Sequence, residues 1–146
     1  HFKNIKTFNC ALGSKNSNVK LGVPYFNFIG SSGATSEFLN FSKKINCRIH
    51  TIDTIVKLNK IKNIDFLKAD IEGGELNLLK GAEKTLQLHK PKIFIEIVDI
   101  HCSRFGHTQR DVIKFLINLN YKGFFMNNGL TKINLKKPQN GNYLFV

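Results

Sequence analysis

Residues 64–82, IDFLKADIEGGELNLLKGA, carry the pattern on which the fold turns: an apolar run, acids, a glycine pair and the start of a helix. Ile64, Phe66, Leu67, Ala69 and Ile71 form a short, nearly continuous apolar run, as expected of a strand covered on both faces. Asp70 and Glu72 interrupt it at its carboxyl end. Ligands in open α/β sheets sit outside the carboxyl ends of the strands, so acids placed there are positioned for chemistry rather than packing. Gly73 and Gly74 relax the backbone for a sharp exit, and Glu75 falls in the first helical turn, where the helix dipole favours negative charge.

Downstream of this stretch, strand and helix patterns alternate, which predicts crossover units and a mainly parallel sheet within one domain. Leu76, Leu79 and Leu86, with Ala82 beside them, recur at helical spacing until Pro91, which ends the helix because the residue before proline is pushed out of the α region. Residues 92–98 read as a strand. Thr108 with Asp111 three residues on resembles a capping box, and Val112, Phe115, Leu116 and Leu119 then give one apolar face. Residues 124–126 and 142–146 read as an antiparallel pair flanking an Asn127-Asn128-Gly129 turn. Upstream, residues 5–12 read as a strand, 13–16 as a turn, 19–23 as a second extended piece and 24–38 as a loop that folds over the site. Residues 49–52 suggest another short strand, with Asp53 or Thr54 opening a brief helix to Leu58.

The segment DFLKADIEGGELNLLKGA resembles the signature of the FkbM-type S-adenosylmethionine-dependent methyltransferases, in which a strand ending in an Asp-hydrophobic-Glu-Gly core runs into Glu-Leu and a Leu-Lys-Gly-Ala helix. The likeness continues through PKIFIE (91–96), LNYKGF (119–124) and NYLFV (142–146). FNCALGSKNSNVKL (8–21) resembles the family's stretch after its third strand, and IDTIV (52–56) resembles its Leu-Asp-Asp segment, with Thr54 in the second acidic position. The resemblance covers essentially the whole chain. It implies an α/β, class I methyltransferase Rossmann-like sheet closing with an antiparallel strand pair, and methyl transfer from S-adenosylmethionine to a hydroxyl oxygen of a sugar- or polyketide-like acceptor. Such enzymes carry a glycine-rich cofactor loop after the first strand and a ribose-binding acid after the second, neither of which has a counterpart here. Residues 1–146 are therefore expected to be the carboxyl-terminal portion of a single such domain, with a sheet incomplete at its amino end and weak cofactor binding in isolation.

Asp70 is the first candidate for chemistry. The resemblance puts it near the cofactor's reactive methyl, where it would orient or deprotonate an acceptor hydroxyl; the alternative is a cap on the following helix. Function is preferred, since Glu72 and Glu75 already supply negative charge to that terminus. Glu72 is expected to accept backbone N–H bonds from the turn, a geometry that makes a poor base. Glu96 emerges among apolar neighbours and needs a partner, with Lys68, His101 or the substrate as candidates. His101, soon after that strand, suits a general base or a solvated loop residue equally. Asp70, Glu96 and His101 together suit a divalent ion, but metal-free catalysis is the expectation. On the resemblance, Cys10 and Ala11 would pack against the adenine ring. Ser31-Ser32-Gly33 would touch the cofactor or acceptor, or simply form loop.

Composition bounds the alternatives. The chain has 146 residues, 42% of them hydrophobic, and a formal charge of +12, with a pI near 9.8. That charge would attract nucleic acid, anionic lipid or phosphorylated substrates. The lysines are scattered singly, which favours a solvated basic surface over a specific nucleic-acid footprint. A non-catalytic basic α/β module binding an anionic partner is the alternative reading. Three isolated cysteines, Cys10, Cys47 and Cys102, fit neither a disulfide framework nor a Cys-x-x-Cys metal site, so a reducing cytoplasm is expected. The longest apolar run, residues 93–100, is broken by Glu96 and Asp99 and falls well short of the ~20 residues needed to cross a bilayer.

Overall fold

The structure, a computed structural model, describes residues 4–23 and 43–146. The expected loop at 24–38, with Ser31-Ser32-Gly33, lies outside the described residues. In chain order the elements are β1 (Ala11–Leu12), β2 (Ser17–Val23), β3 (Lys43–His50), α1 (Ile52–Leu58), β4 (Phe66–Ala69), α2 (Glu75–Lys80), α3 (Glu83–His89), β5 (Lys92–Ile97), α4 (Asp99–Arg104), α5 (Gln109–Asn118), β6 (Gly123–Met126), β7 (Leu130–Lys132) and β8 (Gly141–Phe145).

Among the described residues the strands form two sheets, one ordered β1-β3-β2 and one ordered β4-β5-β8-β6-β7. Only β1/β3 and β4/β5 pair in parallel. The expectation of a mainly parallel sheet is therefore corrected to a mixed one. The closing antiparallel pair is present as β6 and β8, but Asn127-Asn128-Gly129 leads from β6 into β7 rather than into β8, which inserts between β5 and β6. The amino-terminal strand expected at 5–12 shrinks to Ala11 and Leu12, and Ile5 and Phe8 are exposed. β3 is longer than expected, while Ile52 belongs to α1 and is buried there.

Alternation sorts the second sheet into two faces. Ile93, Ile95 and Ile97 of β5 lie in register with Phe145, Tyr143 and Gly141 of β8, and both isoleucine and aromatic rows are fully buried. Helices supply the other half of this core through Leu76, Leu79, Leu86, Val112, Ile113 and Leu116. The opposite face carries Phe66, Lys68, Phe94, Glu96 and Asn142. β4 stands at the edge of this sheet, and Phe66 on its outer face is 55% exposed, so the both-faces expectation is corrected, among the described residues, to one covered face.

The single helix expected up to Pro91 is two helices, broken at Gly81 and Ala82. A cap from far along the chain accounts for the break: the Asp53 carboxylate accepts from the backbone N–H of Lys84 (3.2 Å) and of Thr85 (2.9 Å) and from the Thr85 hydroxyl (2.7 Å). These are orphan donors of a new helix start, satisfied by a remote acid. Gly81 permits the arrangement, because a Cβ there would collide with the Gly13 carbonyl.

The turn from β4 into α2 is held from beneath. Glu75, 2% exposed, accepts from the backbone N–H of Ile71 (3.0 Å) and of Gly73 (3.3 Å) on one carboxylate oxygen. The role expected of Glu72 thus belongs to Glu75. Removing it leaves two donors without a partner, at about 1–3 kcal/mol each. Glu75→Ala is expected to lower unfolding free energy by roughly 3 kcal/mol, and Glu72→Ala by less than about 1 kcal/mol; urea denaturation of both variants checks the order.

α5 begins with the expected capping box: the Thr108 side chain accepts from the Asp111 N–H, and the Asp111 carboxylate accepts from the Thr108 N–H at 2.8 Å and hydroxyl at 2.7 Å. The Thr108 side chain, then its backbone N–H, hold the Asp111 carboxyl below its ordinary range. A group depressed in the folded state stabilises above its unfolded pKa, and that contribution fades as pH falls. Thr108→Ala should cost about 1 kcal/mol at neutral pH. The difference from the parent should shrink in melts as pH falls below the ordinary carboxylate range toward the depressed folded-state value of Asp111.

Candidate functional site

Register explains why three charged groups meet at the carboxyl ends of β4 and β5. Ala69 pairs with Ile95, so the next residues, Asp70 and Glu96, stand side by side on the face away from the helices. Lys68 shares that face, and its ammonium lies 3.4 Å from the Asp70 carboxylate. Lys68 was a candidate partner for Glu96; its ion pair is with Asp70 instead. Asp70 does not cap α2, whose N-cap is Gly74 with no side-chain hydrogen bond. The capping alternative for Asp70 is thereby removed.

Glu72 reaches the same place by a different route. Its φ is +58°, in the left-handed region, which costs a non-glycine residue about 1–2 kcal/mol. Lys60, Lys90 and Asn120 share such angles but end helices, and Asn128 sits in the β6–β7 turn. Glu72 does neither. Its carboxylate lies 2.9 Å from Nδ1 of His101. Gly73 makes the approach possible: its φ is +109°, and a Cβ there would run into the His101 carbonyl and the Phe105 ring. His101 itself is on α4 rather than in a loop, with its N–H donating to the Val98 carbonyl at 3.1 Å.

The start of α4 is fixed from behind. Buried Gln109 donates to the Ile97 carbonyl (3.1 Å), the Gln139 carbonyl (3.1 Å) and the Asn140 side chain (2.7 Å), while Asn140 also accepts from the Asp99 N–H at 2.9 Å. The end of β5, the head of α4 and the approach to β8 are thus tied together. His101 is held where Glu72 can meet it.

Glu72, Glu96 and His101 bring one donor atom each to within 4.8 Å of one another, and all three are half-buried. Burial pushes the Glu96 carboxyl above its ordinary range; the nearby Asp70 and Glu72 carboxylates push the same way, and His101 pulls it down. The site is therefore crowded with negative charge and favours a positive partner.

Three sequence candidates, Asp70, Glu96 and His101, are brought together. Cys10 and Ala11 are not: they stand at the start of the other sheet, half-buried, with no hydrogen bond to the acids among the described residues. Glu72 is the residue that the sequence reading misplaced. Counting parity from Ile95 would have paired Asp70 with Glu96, but no local signal announces a glutamate in the left-handed region.

A family model described as the methyltransferase FkbM domain matches residues 2–123. A crystal structure of methyltransferase FkbM from Methylobacillus flagellatus KT is similar at 20% identity and a TM-score of 0.47, over 94% of this chain and 27% of that one. The chain thus spans about a quarter of that protein's length. No curated protein matches. A family match extending from residue 2 to residue 123 takes in both β4 with its acids and β5 with Glu96, and by it the chain belongs to the FkbM methyltransferase domain family.

Proposed function

We propose that this chain is the carboxyl-terminal portion of an S-adenosylmethionine-dependent methyltransferase domain acting on a hydroxyl oxygen of a sugar- or polyketide-like acceptor. The observation that carries the reading is the grouping of Asp70, Glu72, Glu96 and His101 at the carboxyl ends of two adjacent parallel strands. Negative charge crowded at one point suits a sulfonium cation, so the donor set fits S-adenosylmethionine. When bound, that cofactor supplies an already activated methyl group.

The remaining work belongs to the protein. Asp70, beside Lys68 and Glu96, orients the acceptor hydroxyl and receives its proton. Glu96 and His101 hold the acceptor oxygen in line, which is where proximity supplies most of the acceleration. Cys10 and Ala11 offer a wall of small side chains for the adenine ring. The cysteines are free and Cys102 is buried, its thiol pushed up to about 11, chiefly by burial, and so unreactive. Free thiols suit a reducing compartment, and we place the reaction in the cytoplasm. Among the described residues no helix is long and apolar enough to cross a membrane.

Asp70→Asn in the full-length protein tests the assignment. Asp70 makes one exposed ion pair and no cap, so melting should change little. Transfer of labelled methyl from S-adenosylmethionine to polyhydroxy acceptors should fall by roughly 10²-fold or more. Full activity in the variant would remove Asp70 from the site, and a full-length parent that moves no methyl to any hydroxyl would end the reading.

A further inference from the structure

The Glu72–His101 contact has the dimensions of a metal-ligand edge. Cis ligands on an octahedral ion at bond lengths of about 2.1 Å lie about 3.0 Å apart, and trans ligands about 4.2 Å. His101 Nδ1 and Glu72 Oε2 are 2.9 Å apart, and the Glu96 donor completes a group with every separation within 4.8 Å. This is a mixed nitrogen and oxygen donor set drawn from three separate elements: the β4–α2 turn, the end of β5 and the first turn of α4. Small side-chain rotations close it on one point.

We infer that Glu72, Glu96 and His101 form a binding site for a divalent cation of the Mn²⁺ type, for which one imidazole and two carboxylates are suitable ligands. The ion would sit between Glu72, Glu96 and His101, and its charge would offset the crowded carboxylates. Three protein donors leave open positions for water and for one acceptor oxygen. Asp70, outside the donor set, stays free to receive the hydroxyl proton. This departs from the metal-free expectation. The role given to the ion rests on the methyl-transfer reading, whereas its binding rests on the three side chains alone.

Preorganisation supports the site. Both the turn that carries Glu72 and the helix that carries His101 are anchored by buried polar groups, Glu75 beneath one and Gln109 behind the other. Such outer partners orient ligands, and losing one commonly weakens metal affinity 10–100-fold. Direct loss of a ligand should do at least as much.

Titration of the purified chain with Mn²⁺ alone, followed by the fall of the free-ion paramagnetic resonance signal, tests the inference without cofactor or acceptor. One Mn²⁺ per chain should bind, and His101→Ala, Glu72→Gln and Glu96→Gln should each weaken it by roughly 10-fold or more. Asp99→Asn, an exposed acid on α4 outside the set, should leave it unchanged. Circular dichroism melts of the metal-free variants separate lost ligation from lost folding; should one variant unfold, the other two decide. Absence of binding, or binding that survives all three ligand variants, overturns the site. Either result leaves methyl transfer standing, because that reading is decided by Asp70→Asn and the labelled-methyl assay.

Discussion

Two hydrogen bonds to the buried Glu75 carboxylate set the geometry on which the site depends. A strand that ends in a tight turn leaves backbone donors facing inward, and buried donors must be met. Glu75 meets those of Ile71 and Gly73 from the first turn of α2, where the helix dipole also favours its charge. With the turn held, Gly73 can press against the His101 carbonyl, and Glu72 can occupy an unfavourable backbone angle with its side chain toward the imidazole. The strain at Glu72 is offset elsewhere in the same turn, as is common where side chains are aimed for chemistry.

The sheet contributes by parity. A parallel pairing of β4 and β5 puts Asp70 and Glu96 on the same side, opposite the face on which the three isoleucines of β5 meet the helices. The division is sharp: one face of β5 is fully buried, the other holds half-buried Phe94 and Glu96. Insertion of β8 beside β5 fixes this strand from its second edge and extends the core through Tyr143 and Phe145. Chemistry and packing thus occupy opposite faces of the same six residues.

Much of this was legible in residues 64–82. The strand, the acids at its end, the glycine exit and the following helix all appear where the pattern places them, because apolar period and glycine content act locally. The capping box at Thr108 was readable for the same reason. Other elements were misread where distant groups decide. The helix before Pro91 breaks in two because Asp53 caps its second half, and leucine spacing alone carries no trace of that acid. The sheet is mixed because β8, last in the chain, enters between β5 and β6, a choice made by tertiary packing.

The sequence by itself determined the family, the strand-acid-glycine-helix unit and the candidates Asp70, Glu96 and His101, since each follows from residue type, period or motif. Only the tertiary structure decided that Glu75 rather than Glu72 holds the turn, that Lys68 pairs with Asp70, and that Glu72 faces His101. The first two are contacts within a few residues where several charged groups compete for the same partners, and the third joins segments whose spacing along the chain carries no period. They are set by which buried donors remain unsatisfied once the backbone closes, and by Gly73, which lets the β4–α2 turn touch α4.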